Sequence, residues 1–76
     1  MDLRETIGIN VKRLRLAAGL TQEELAVKAA SDQRFISETE LGKRNLTIDN
    51  LENIALTLGT SVVVLVSEPS DEARKG

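Results

Sequence analysis

Residues 21–45 read TQEELAVKAASDQRFISETELGKRN, and the organisation of the chain follows from this stretch. Thr21-x-x-Glu24 is a capping box: the hydroxyl accepts a backbone N–H three residues on, and the carboxylate accepts the N–H of the cap itself. Leu25, Ala26 and Ala29 then recur on one side of a short helix over about residues 22–29. Ala26 is small enough to let a neighbouring helix cross closely. A turn at Ala30-Ser31 leads to Asp32, an N-cap residue, and to a second short helix that runs to about Glu40. Ile36 is its inner residue. Gln33, Arg34, Ser37 and Glu38 occupy its outer side, Gly42 ends it, and the polar loop Lys43-Arg44-Asn45 follows.

Two short amphipathic helices, small residues at their crossing, a polar second helix and a basic loop make a helix-turn-helix. That motif sets its second helix in the major groove of DNA. The surrounding chain is also read as helix. Leu3, Ile7, Val11, Leu14 and Ala18 form one apolar stripe on a helix of roughly residues 3–18, stopped by Gly19. Thr47 caps a fourth helix with Ile48, Leu51, Ile54, Ala55 and Leu58 inside, closed by Gly59. The run Val62-Val63-Val64-Leu65-Val66 is the most apolar in the chain. Its β-branching favours a strand, whereas Ser61 as a cap and the preceding helices favour a fifth helix. A lone strand would need a second copy to pair with.

The expected fold class is therefore all-α: five compact helices, or four helices plus a C-terminal dimerising strand. On either alternative Val62, Val63, Val64, Leu65 and Val66 must be buried against something, and they are the expected dimer interface. Residues 1–66 are expected to form one DNA-binding and dimerisation domain, and residues 67–76 a polar, flexible tail.

Composition narrows the function. Seventy-six residues with 41% hydrophobic and one aromatic side chain allow one small aliphatic core, which gains from burial against a second copy. There is no Cys and no His, so thiolate metal sites, disulfides and the commonest general base are absent. The five glycines lie singly rather than in a phosphate loop. No catalytic residue, metal or cofactor is expected. No run reaches the length of a membrane span, and no basic stretch leads an apolar segment at the N-terminus. A cytoplasmic protein that contacts no membrane is expected. Net charge is −2, but it is unevenly placed. Residues 1–45 carry eight Lys/Arg and seven Asp/Glu, whereas residues 46–76 carry two and five. Binding a polyanion requires a local positive surface, not a positive total. Lys12, Arg13 and Arg15 cluster in one helix, and Lys43 and Arg44 in one loop.

From about Ile7 to Leu58 the chain resembles the Cro/repressor-like helix-turn-helix family, also called the xenobiotic-response-element family. The likeness lies in Val11, Leu14, Arg15, Gly19, Leu20, Thr21, Gln22, Leu25, Ala26, Ile36, Ser37, Glu40, Gly42, Lys43, Arg44, Asn45 and Leu58-Gly59. Size and layout are similar to the small restriction–modification controller proteins, which are dimers that bind their own promoters. Short antitoxin-type repressors are a second similar group. The resemblance implies a homodimeric, sequence-specific transcriptional regulator that reads a palindromic operator in double-stranded DNA through its third helix.

Site residues follow from the same resemblance. Gln33, Arg34, Ser37 and Glu38 match the base-reading face, with Arg34 suited to guanine, Gln33 to adenine and Glu38 to the cytosine amino group. Gln22, Lys43, Arg44 and Asn45 are implied as phosphate contacts. Arg15 and Glu40 match a structural ion pair. The plainer alternatives are a solvated polar face, an ordinary helix-start Gln22, and a phosphate contact for Arg15. Phe35 is open to packing or to a thymine methyl. The chain departs from the pattern at Ala30, where a turn Gly is usual, so a Cβ is expected at positive φ. A competing reading is an antitoxin or adaptor on the same fold, with a toxin or other protein as partner. The acidic balance, Glu38 and the bare Val62–Val66 run favour it.

Overall fold

The computed structural model describes residues 2–69. Five helices follow in order: α1 (Leu3–Ala17), α2 (Gln22–Lys28), α3 (Gln33–Glu40), α4 (Ile48–Thr57) and α5 (Val62–Val66). No strand occurs among the described residues. The strand alternative for 62–66 is thereby corrected. Ser61 caps the segment by accepting the Val64 N–H, and side chains rather than a neighbouring strand meet the backbone groups at its ends.

Each helix begins where local chemistry supplies an acceptor for its orphan N–H groups. Asp2, Thr21, Asp32, Thr47 and Ser61 are the N-caps. At Thr21 the capping box closes in both directions, with Glu24 N to Thr21 Oγ1 at 3.0 Å and Thr21 N to Glu24 Oε1 at 2.9 Å. A second box, Thr47 with Asn50, opens α4. Between α2 and α3, Ala30 adopts φ 54°, the left-handed conformation expected at that turn. Ser31 N then bonds back to Ala26 O at 2.8 Å.

Helix α1 packs against both α3 and α5, and α2 packs against α3. Ile7, Val11, Leu25, Ala26, Ala29, Phe35, Ile36, Ile54, Ala55 and Leu65 form the core. The expected stripes overran it at their ends. Leu3 is 54% exposed and Ile48 74% exposed, and Ala18 also faces solvent. Leu3 and Ile48 are the first residues of their helices. The inner side of α1 instead includes Thr6, Gly8, Asn10 and Arg15. Gly8 is there because backbone approaches it: an added Cβ would stand 2.5 Å from Thr39 O and 2.8 Å from Glu40 O.

Asn10 ties the C-terminal segment to α1. Its buried Nδ2 donates towards Val64 O (3.2 Å), Leu65 O (2.9 Å) and Ser67 O (2.8 Å), and Val64 O also accepts the Ser67 N–H at 3.3 Å. Ser67 and buried Pro69 thus belong to the packed body rather than to the expected tail. Residues 70–76, the rest of that expected tail, lie outside the described residues. Leu65 is fully buried in this core, which removes it from the expected dimer interface. Val63 and Val64 are exposed, whereas Val62 and Val66 are half-buried. Among the described residues no helix is long and apolar enough to cross a membrane.

Candidate nucleic-acid interface

Helix α3 buries Phe35, Ile36 and Thr39 against α1 and α2 and turns its other side outward. Thr39, polar but 1% exposed, satisfies its hydroxyl on Phe35 O at 2.7 Å, so no polar atom is stranded beneath the site. Gln33 and Arg34 are exposed, and Ser37 and Glu38 are half-buried. Lys43, Arg44 and Asn45 are exposed in the loop that follows.

The helix is anchored from inside by Arg15 and Glu40. Arg15 Nε lies 2.6 Å from Glu40 Oε2 and Nη2 lies 3.0 Å from Glu40 Oε1, a bidentate pair. Arg15 Nη1 also donates to Leu20 O at 2.9 Å. The side chains are only 9% and 4% exposed. The Glu40 carboxylate, by hydrogen bonding to the guanidinium, raises the Arg15 pKa above its ordinary value. The Arg15 guanidinium therefore keeps its charge, and as a buried charge it needs the partner it has.

The same pair reaches the outer face through two amides. Glu40 Oε1 accepts from Gln22 Nε2 at 3.1 Å, and Gln22 Oε1 accepts from Gln33 Nε2 at 2.7 Å. A guanidinium only donates and a carboxylate only accepts. Gln22 must therefore turn its NH2 inward and its carbonyl outward, and Gln33 must turn its NH2 towards Gln22. The carbonyl Oε1 of Gln33 makes no hydrogen bond among the described residues. With one N–H beside it, it presents an acceptor–donor edge to solvent. Motif positions identify these residues one by one; only the folded chain joins them into a continuous hydrogen-bonded path.

The outer face also has its own ion pairs. Glu38 lies between Arg34 (Nε to Oε2, 3.5 Å) and Arg44 (Nε to Oε1, 3.6 Å). The Arg44 guanidinium stands 4.9 Å over the Phe35 ring, so Phe35 packs beneath a cation as well as into the core. Asn45 Oδ1 accepts from Arg4 Nη1 at 3.1 Å, which leaves the Asn45 N–H groups as its outward donors. Arg4, paired with Asp2 at 3.3 Å, is brought to this loop from the start of α1. No signal near position 4 announces that contact, since it joins residues 41 apart. Lys12 and Arg13 are exposed on α1.

Comparison with known proteins gives the same architecture. The helix-turn-helix family model matches residues 11–65. The HTH-type transcriptional regulator y4dJ of Sinorhizobium fredii is 43% identical over 76 residues, covering 100% of this chain and 97% of that protein. The crystal structure of a hypothetical transcription factor from Neisseria superposes with a TM-score of 0.86 at 29% identity, covering 99% of this chain and 86% of the other. That of the restriction–modification controller protein C.AhdI from Aeromonas hydrophila gives a TM-score of 0.78 at 31% identity, covering 82% and 94%. These relatives are regulators and not enzymes.

Proposed function

The chain belongs to the helix-turn-helix family, and on that premise we propose that it works as a homodimer reading a palindromic operator with α3 in the major groove. That it is a transcription regulator with a DNA-binding domain follows from the family and its relatives. The observation that carries the finer reading is the bonded chain from Arg15 through Glu40 and Gln22 to Gln33. It holds an exposed amide with both acceptor and donor outward, the fork that matches the N6 and N7 edge of adenine. Gln33, Arg34 and Ser37 are the base-reading residues, Arg34 suited to guanine. Glu38 is the acceptor suited to a cytosine amino group. Gln22, through its second N–H, joins Lys43, Arg44 and the Asn45 amide as phosphate donors.

A dimer fits the dimensions and the surface. The described residues measure 29 × 25 × 20 Å, whereas successive major grooves on one DNA face are about 34 Å apart. Two copies side by side span that distance. Leu56 and Val63, 81% and 70% exposed, lie on α4 and α5. A groove lined by Glu52, Ala55, Leu56, Thr60, Ser61 and Val62 runs between those helices. A second copy covers this apolar surface, with Val62, Val63, Val64 and Val66 contributing and Leu65 supporting them from the core. The bare valine run is then accounted for without a toxin or adaptor partner.

The test is selection of bound duplexes from random DNA at two salt concentrations, with sedimentation of the free protein alongside. Enriched inverted half-sites one helical turn apart and a dimeric mass are expected. Replacing Gln33 and Arg34 together by Ala should abolish the enrichment. No enriched half-site, or a monomer that still selects two half-sites, refutes the reading.

A further inference from the structure

Glu38 stands on the outward side of α3 with the wrong charge for a groove walled by phosphates. Its two carboxylate oxygens are divided between two cations, Arg34 at 3.5 Å and Arg44 at 3.6 Å. Arg44 is further restrained over Phe35. Those are the two arginines assigned above to DNA, one to a base edge and one to the backbone. Neither guanidinium is unpaired in the free protein. To give both fully to DNA, the protein must surrender two ion pairs and leave a carboxylate facing phosphate oxygens.

We propose that Glu38 is a specificity determinant that works by opposing generic DNA. On an arbitrary duplex, phosphates compete with Glu38 for Arg34 and Arg44, and the carboxylate is left without a partner beside negative charge. Non-specific binding is mostly phosphate neutralisation, so this penalty falls on it almost in full. On a site that sets a cytosine N4 amino group opposite Glu38, the carboxylate gains a donor. Arg34 then turns to its own base without stranding a charge. Glu38 thus subtracts more from non-specific than from specific affinity, in the way unpaired charges commonly reject a wrong partner. The Arg44–Phe35 contact serves the same end, since it keeps the loop cation beside the carboxylate rather than extended towards the backbone. This inference rests on the reading of α3 given above.

The experiment compares the full chain with Glu38→Gln on a duplex selected from random DNA and on an unrelated duplex of equal length, at two salt concentrations. Exposed ion pairs of this kind are individually weak, so Glu38→Gln should bind the unrelated duplex about three- to tenfold more tightly. The gain on the selected duplex should be smaller, or become a loss, so the ratio of affinities falls. On the unrelated duplex the salt slope should steepen by up to about 0.9 for each guanidinium released to phosphate. Weaker binding to the unrelated duplex, or an equal change on both duplexes, overturns the proposal. Thermal melting of the two proteins at matched concentration distinguishes either result from lost folding, which would lower the melting temperature as well. A wild-type chain that selects no half-site overturns the underlying reading of α3 instead, whatever the variant does.

Discussion

Gly8→Ala tests the packing of α1 on α3 by a change of sign. In the interior of a solvated helix this substitution stabilises, by about 1 kcal/mol, because Ala lowers the backbone entropy lost on folding. Here the new Cβ would meet Thr39 O at 2.5 Å, Glu40 O at 2.8 Å and Glu40 C at 3.0 Å, all of them backbone. Thr39 O must retreat by roughly 0.9 Å to reach ordinary contact at 3.4 Å. It cannot swing aside as a flexible side chain would, because it belongs to the last turn of α3. Overpacking against rigid neighbours costs about 1–3 kcal/mol, and two carbonyls on one methyl place this case in the upper half. After the propensity gain, a net loss of about 1–2 kcal/mol remains. For a domain of this size that is a fall in Tm of about 5–15 °C. The assay is thermal and urea unfolding followed by helical circular dichroism, at one fixed protein concentration because a dimer's Tm depends on it. The same displacement moves Glu40, so affinity for a selected duplex should fall even well below Tm. A Gly8→Ala protein as stable as wild type, or more so, would show that α1 and α3 do not approach this closely, and the reasoning would fail.

Ala30→Gly should act in the opposite direction: at φ 54° a Cβ costs about 1–2 kcal/mol, the added backbone entropy of Gly offsets about 0.5–1 kcal/mol of that, and the variant is expected to melt about 2–8 °C higher. An unchanged or lower Tm would mean that the turn carries no strain. Asn10→Ala takes the side-chain donor from Leu65 O and Ser67 O, while Val64 O keeps the Ser67 N–H, and should lose about 2–4 kcal/mol. Hydrogen exchange at 62–67 would quicken before the rest of the molecule; uniform protection would count against the clasp. The backbone N–H of Thr21 holds the Glu24 carboxyl below its ordinary value of 4.5. The folded state therefore binds fewer protons there, and the capping box contributes above pH 4.5 and fades as pH falls through the lowered value. The Tm gap between wild type and Glu24→Gln should accordingly close on acidification, and a gap that widens would reverse the assignment.

The parts of the fold that the sequence made legible are those decided by neighbours in the chain. Thr21 with Glu24, Asp32, Ser61 and the left-handed Ala30 each involve residues within three or four positions, and each was readable. Inner faces were readable only in part. A 3.6-residue period indicates which direction is inward, but not how far the neighbouring body extends. Leu3 and Ile48 keep the period and still stand in solvent. Asn10 and Thr39 are polar at inward positions and are buried. Asn10 looks like a surface amide until its acceptors, 54 to 57 residues away, are in place. The run at 62–66 was undecided because β-branching and capping give opposite answers over five residues. Its Leu65 side chain and its final carbonyls settle the matter through α1. In the candidate site the individual side chains were nameable from motif positions, whereas their contacts were not. The Gln22–Gln33 bond joins residues 11 apart across a turn, and Arg4 reaches Asn45 over 41 positions.

The site and the core are one hydrogen-bonded object. A polar helical face is ordinarily free to reorient, and an exposed glutamine amide presents either of its ends at little cost. Gln33 lacks that freedom because each link behind it has only one polarity available. Arg15 has no acceptor, Glu40 has no donor, and both are shut away from water that could relax the choice. Gln22 inherits one orientation and passes it on. If Gln22 were inverted, its carbonyl would face the Glu40 carboxylate and its NH2 would face that of Gln33, a clash at both ends. The buried pair, which on balance adds little net stability against an apolar replacement, thus has a use that stability does not measure. It gives direction to an amide on the surface, so the presentation of the first residue of α3 is determined by residues in the interior.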